Sequence, residues 1–185
     1  MREKRRAKHS IIKNILLWTF QILVVILFAY VLVYFFGQSR TNIGQSMDVT
    51  LSGGDTVLMD TLIYQVGSPK RGDVIAFKPN GSGTGHSSIK RVIGLPGETV
   101  RIDQNGNIYI NGKLLKENYG KETMLNNGRA GSDVYLGSDE YFVLGDNRNN
   151  SIDSRWSDVG NVSREDIVGK VVLRIYPFKS FGLIK

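Results

Sequence analysis

Three short stretches hold side chains suited to acyl-transfer chemistry: NIGQSMDVTL at 42–51, SSIKRVIG at 87–94 and GDNRNNSIDSRWSDVG at 145–160. The first centres on Ser46, with small or polar residues before it and Met47, Val49 and Leu51 alternating after it. That pattern predicts a hydroxyl offered from an exposed turn that leads into a buried edge. A serine hydroxyl is a poor nucleophile until a positioned base removes its proton. The chain has two histidines. His9 lies in the basic N-terminal stretch, and His86 lies in the Gly/Ser loop NGSGTGHSS, where a solvated side chain is expected. Lys90 is the alternative base. In a strand the pleat sends Lys90 and Val92 to one face and Ile89, Arg91 and Ile93 to the other, so at most one of the two cations is well solvated if the strand is central. A buried lysine sheds its proton more easily because desolvation penalises the ammonium. Bringing its pKa from about 10.4 to about 7 takes about 5 kcal/mol of differential environment.

The third stretch gathers Asp146, Asn147, Arg148, Ser151, Asp153, Ser154 and Arg155 directly after the apolar run EYFVL. As a buried network it would orient a neighbouring lysine through a hydroxyl. Each stretch also has a plainer reading: a turn serine beside an apolar helix, a surface lysine, and a polar loop with Asx turns whose surface ion pairs contribute only about 0–1 kcal/mol. There are no cysteines, which excludes thiol nucleophiles, thiolate metal sites and disulfides. Carboxylate-only metal sites stay open but have no ligand spacing behind them, and no cofactor or metal is expected.

These side chains need elements to position them, and the chain divides plainly. Its net charge of +7 is concentrated at the start: Arg2, Lys4, Arg5, Arg6, Lys8 and Lys13 against Glu3 leave only +2 for everything after residue 13. The excess reads as a topology signal, and no nucleic-acid partner is expected. Residues 1–14 form a basic tail, expected to be disordered or to lie on anionic headgroups. Residues 15–36, ILLWTFQILVVILFAYVLVYFF, carry no charge. As a helix they reach about 33 Å against a hydrocarbon core of about 30 Å, with Trp18, Tyr30 and Tyr34 towards the ends. The run is too long for a typical signal-peptide core, and GQSRTN after it offers no small-x-small cleavage site. A retained transmembrane helix follows, with the N-terminus cytoplasmic and residues 37–185 outside the cell membrane by the positive-inside rule. Ser46 then stands no more than roughly 36 Å of extended chain from Phe36.

Residues 37–185 read as β. DTVLMD (55–60), GDVIAFK (72–78), SIKRVIG (88–94), TVRID (99–103), NIYI (107–110), EYFVLG (140–145) and IVGKVVLRIY (167–176) are short, β-branched and separated by Gly-containing turns. DQNGN at 103–107 is a hairpin signal, and SREDIVG predicts one helical turn capped by Ser163. Residues 116–139 are polar and Gly/Asn-rich and are predicted to leave the core. The expected class is mainly β, with antiparallel sheets forming a half-closed, barrel-like domain after one transmembrane helix.

Taken together, SM-x-x-TL after an apolar helix, GD-x-V at 54–57, RGDVIAF at 71–77, KRVIGLPGE at 90–98 and GDNR-x-x-S-x-DSR at 145–155 resemble the ordered boxes of type I signal peptidases. The small size and single apolar helix resemble the Gram-positive form. The resemblance implies a serine–lysine protease that cleaves signal peptides from exported preproteins carrying small residues before the cut, at the outer face of the plasma membrane. Ser46 would be the nucleophile, Lys90 the general base and Ser151 the group that orients the Lys90 amine. The oxyanion would be held by the Ser46 N–H, with Gly44 at the helping position. Asp146, Asp153, Arg91 and Arg155 match structural ion-pair positions. Met47, Leu51, Ala76 and Ile89 would lie near shallow pockets for small side chains. The family has proline in SM-x-P-TL where this chain has Val49, which predicts a less rigid turn after Ser46. Two rivals differ in class: a self-cleaving serine–lysine regulator, which has no need of a membrane span, and a non-catalytic, membrane-anchored β module that binds or scaffolds secreted proteins.

Overall fold

The computed structural model describes residues 2–36, 39–42, 44–79 and 87–184, and the chain separates into two units, residues 1–38 and 39–185. The first is a single helix, α1 (Arg2–Phe36). It takes in the basic tail, which is therefore helical from Arg2 rather than disordered; Arg, Lys, Glu and Ala all propagate helix well. Within it, Ile11–Val31 is long and apolar enough to cross a membrane.

The second unit is mainly β. Its strands are β1 (Ser39–Thr41), β2 (Thr56–Asp60), β3 (Val74–Phe77), β4 (Ser88–Gly94), β5 (Thr99–Ile102), β6 (Ile108–Ile110), β7 (Lys113–Leu114), β8 (Val134–Tyr135), β9 (Glu140–Leu144), β10 (Val162–Ser163), β11 (Ile167–Tyr176) and β12 (Gly182–Leu183), with a short helix α2 (Ile63–Val66) after β2. The larger sheet runs β1-β2-β11-β3-β4-β9-β10, with β12 added on β11, and the smaller runs β7-β6-β5-β8. Every pairing among the described residues is antiparallel. The predicted DQNGN hairpin joins β5 to β6, closed by Asp103 N–H to Asn107 O at 3.0 Å and opened to a turn by Gly106 at φ +79°.

Three buried clusters hold the unit together. The first fills the space between the sheets, with Ile93, Phe142 and Leu144 facing Val100, Ile102, Ile108, Ile110 and Val134. The second packs Ile75, Val92, Val143, Val159 and Ile167, and the third Met47, Leu51, Val57, Met59, Ala76 and Ile89. β4 touches all three, because Val92 points to one side and Ile89 and Ile93 to the other, as its pleat requires.

Two expectations are corrected. Residues 116–139 do not leave the core: Met124, Ala130, Val134 and Leu136 belong to the first cluster, and β8 extends the smaller sheet. Single apolar residues among polar ones carry no period, so the sequence pattern hides them. The helical turn after Ser163 is a 3-10 turn at Arg164–Asp166, and the Ser163 side chain makes no capping bond to it.

Candidate active site

Ser46 stands on a tight turn, and the backbone explains how. Gly44 enters it at φ +102°, a conformation open to glycine. The N–H groups of Thr50 and Leu51 then both donate to the Met47 carbonyl, at 3.0 and 2.7 Å. A hydrogen-bonded turn therefore replaces the extended edge expected from the alternation of Met47, Val49 and Leu51. Met47 and Leu51, four apart, point inward together, while Val49 is exposed and sits at φ +93°. Proline, fixed near φ −65°, cannot adopt that backbone, so Val49 makes the turn strained rather than slack. Asn42, which sequence reasoning passed over, closes the base of the turn by donating from Nδ2 to the carbonyls of Leu51 and Ser52 at 3.2 and 3.0 Å.

Lys90 reaches Ser46 from β4, its Nζ lying 2.8 Å from Ser46 Oγ and 3.2 Å from the Ile89 carbonyl. β4 is flanked by β3 and β9, and neither of its adjacent cations is well solvated: Lys90 is 6% exposed and Arg91 1%. Burial pushes the Lys90 ammonium down to about 8, opposed by the negative charge of Asp153. The apolar wall comes from Ile75, opposite Lys90 on β3, and Val92, two along on the same face.

The loop after β9 fastens the serine in place. Asn147 N–H donates to the Ser46 carbonyl at 3.0 Å and its Nδ2 to the Gln45 carbonyl at 3.0 Å. Gly145 is a position where nothing larger fits, since a Cβ there would overlap Ser151 Oγ and the Ser46 carbonyl. Asn147 belongs to the polar group read from the sequence, whereas Gly145 carries no signal there; the close approach that demands it is a long-range contact no local pattern reports.

The four predicted ion-pair residues pair as two buried couples. Arg91 grips Asp146 through Nε (2.9 Å) and Nη2 (2.7 Å), and also donates to Gly72 O and Thr50 Oγ1. Arg155 grips Asp153 through Nε (2.8 Å) and Nη2 (2.9 Å), while Asp153 accepts the Gly145 N–H at 3.1 Å. One carboxylate therefore braces the strand carrying the lysine, and the other braces the glycine beneath the serine.

A cleft of about 550 Å³ opens over this group, lined by Gly44, Gln45, Ser46, Ser88, Lys90, Asn150, Ser151, Ile152, Asp158 and Val159 among others. Ser151 is in the cleft wall, but its hydroxyl is buried without a hydrogen-bond partner among the described residues and does not bond Lys90. Met47, Leu51, Ala76 and Ile89 do not line the cleft. They sit in the third core cluster, where the inward turn of Met47 and Leu51 packs them against Ala76 and Ile89, paired across β3 and β4. His86 and the side chain of His9 lie outside the described residues. Among the described residues no cluster of metal-ligating side chains occurs.

The chain is 37% identical over 154 residues to "Probable signal peptidase I-2" of a Synechocystis species, covering 81% of this chain and 68% of that one. It is 33% identical over 184 residues to "Signal peptidase I P" of Bacillus subtilis subsp. natto, with 96% of each chain covered. To "Signal peptidase IB" of Staphylococcus aureus (strain COL) it is 34% identical over 185 residues, covering 91% of this chain and 93% of the relative. The family described as "Signal peptidase, peptidase S26" matches residues 15–176, a span that takes in all three stretches meeting at the cleft, and the chain belongs to that family.

Proposed function

We propose that the chain is a serine endopeptidase, anchored in the cell membrane by α1 with its N-terminus inside, in which Ser46 attacks the scissile carbonyl of a preprotein and Lys90 is the general base. Membership of the signal peptidase family supports cleavage of signal peptides. The observation that carries the assignment of roles is the 2.8 Å approach of a buried Lys90 amine to the Ser46 hydroxyl.

The mechanism follows from the geometry. Neutral Lys90 takes the Ser46 proton as Oγ bonds to the substrate carbonyl carbon. The charge that develops on the carbonyl oxygen is met by the Ser46 N–H, on a turn made rigid by the Asn147 clamp; one such donor is typically worth about 3–4 kcal/mol. Lys90 then gives the proton to the departing amine, and the acyl group leaves after Lys90 activates a water in the same way. Ser151, which lines the same cleft, is the group that the family resemblance gives for orienting the Lys90 amine.

Substrate binding has a simple route. β9 pairs with β4 only from Arg91 onward, so among the described residues Ser88–Lys90 keeps one strand flank unpaired beside Gly44–Ser46. An extended peptide adding to that flank would present its carbonyl to Ser46 by main-chain bonds. A basic tail before an apolar span and a short tether to Ser46 support an outer-face site beside the bilayer that holds the substrate's own apolar segment, which raises effective concentration without a new contact.

The test is processing of a preprotein with a small-x-small site by the full-length protein in detergent. Ser46→Ala and Lys90→Met are each expected to abolish cleavage, while His86→Ala is expected to process at the wild-type rate. Turnover by Ser46→Ala, or loss of turnover in His86→Ala, would overturn the assignment.

A further inference from the structure

Four residues of the segment 117–125 bond the loop that follows β9. Glu117 Oε1 accepts from Arg148 Nη1 at 2.8 Å, and the Lys121 N–H donates to the Asp146 carbonyl at 3.0 Å. Asn149 bonds Thr123 and Leu125, giving Nδ2–H to Thr123 O at 3.0 Å and accepting Leu125 N–H at 2.9 Å. Between these contacts the Tyr119 ring lies against the Arg91 guanidinium, with Arg91 Cζ 4.0 Å from the ring centroid. These contacts make 117–125, which bends at 121–122 and again at 125, a strap drawn along the loop.

The position of Tyr119 is specific. Arg91 spends its in-plane N–H groups on Asp146, Gly72 O and Thr50 Oγ1, which leaves the flat face of the guanidinium to be covered. In a site from which water is excluded, an aromatic face is the partner that suits it. Room for the ring exists because residue 72 is glycine: a Cβ there would stand 2.8 Å from the Tyr119 hydroxyl. Arg91 is the chain neighbour of Lys90, and Asp146 lies between Gly145 and Asn147, whose N–H holds the Ser46 carbonyl.

We propose that Tyr119 is a positioning residue for the proposed reaction, holding the Arg91–Asp146 couple by covering its cation, and through that couple setting the distance between Lys90 and Ser46. It touches neither substrate nor the reacting atoms. The inference rests on the Ser46–Lys90 reading and adds a function for the segment over the catalytic loop.

The experiment compares Tyr119→Phe with Tyr119→Leu in the full-length protein in detergent, reading kcat and KM on a preprotein together with the melting temperature. Tyr119→Phe keeps the ring and is expected to stay within about twofold of wild type in both constants. Tyr119→Leu is expected to lose about tenfold in kcat with KM within about twofold, because ground-state binding does not depend on the Lys90–Ser46 distance. If the leucine variant melts below the assay temperature, Tyr119→Met, which fills the volume without a ring, takes its place and is read the same way. The proposal is overturned if the ringless variant keeps kcat within twofold, if Tyr119→Phe loses as much, or if the loss falls on KM alone. Ser46→Ala is run beside them: its activity would sink the reading of the site, whereas its inactivity with normal Tyr119 variants would sink only the positioning role.

Discussion

Lys90 and Arg91 are adjacent on β4 and both withdrawn from solvent on opposite faces, yet only the arginine has a carboxylate bound to it. Among the described residues Lys90 forms no salt bridge, and its one charged influence is Asp153. The pleat thus gives two neighbouring cations opposite fates: one is gripped by a bidentate carboxylate, the other is made easy to discharge.

The first expectation concerns pH. In the proposed reaction the neutral amine is the active form, so kcat/KM should climb about tenfold per unit on the acid side and level off above a limb near pH 8, where burial has brought Lys90. The limb in kcat/KM reports the free enzyme. A limb remaining at the ordinary lysine value, or one near 6.5 as for histidine, would contradict Lys90 as the base.

The same shift predicts a trade between activity and stability. A lysine whose folded pKa is depressed is unfavourable to folding wherever the unfolded chain holds it protonated. The cost is full below about 8 and fades as pH rises towards the ordinary value of 10.5. Lys90→Met should therefore be inactive and more stable, by at most about 3 kcal/mol at pH 7, with the gain shrinking between pH 8 and 10.5. Unfolding of both proteins across that range measures it; a less stable Lys90→Met at pH 7 would mean that the amine is solvated.

Gly145→Ala is the smallest change aimed at the site. Its methyl would occupy the space of Ser151 Oγ and of the Ser46 carbonyl, so the serine turn must shift. A displacement on the order of 1 Å costs about a hundredfold in rate, and that loss is expected in kcat. Wild-type kcat in this variant would show that the clamp does not set the serine.

Val49 tests the strained turn. At φ +93° a β-branched residue carries about 1–3 kcal/mol of strain; glycine relieves it, and the greater freedom of its unfolded chain cancels part of that gain. Val49→Gly is expected to raise stability by about 1 kcal/mol, and Val49→Pro to lower it by more than that. Chemical denaturation of the three proteins decides; a Val49→Pro variant as stable as wild type would show a turn of the ordinary left-hand-free kind.

What the sequence made legible was the architecture that periodicity controls. The full spans of β4 and β11 were readable because they are long and β-branched. β7, β8, β10 and β12 have two residues each and carry no period to read. Met47, Val49 and Leu51 misled for a related reason: three apolar residues at alternate positions suit a strand, yet a turn of helix also buries the first and third. Burial of Lys90 depends on which strands flank β4, and β9 arrives from fifty residues downstream. The strap at 117–125 binds through backbone groups, polar side chains and one ring, so it has no hydrophobic signature.

β11 is the longest strand among the described residues, and it lies between β2 and β3. The two early strands cannot be bridged until it slots in. The part of the large sheet that continues from the Ser46 turn and the part that carries Lys90 are thus joined through a strand that follows both in the sequence, so the sheet closes only when distant stretches of the chain meet.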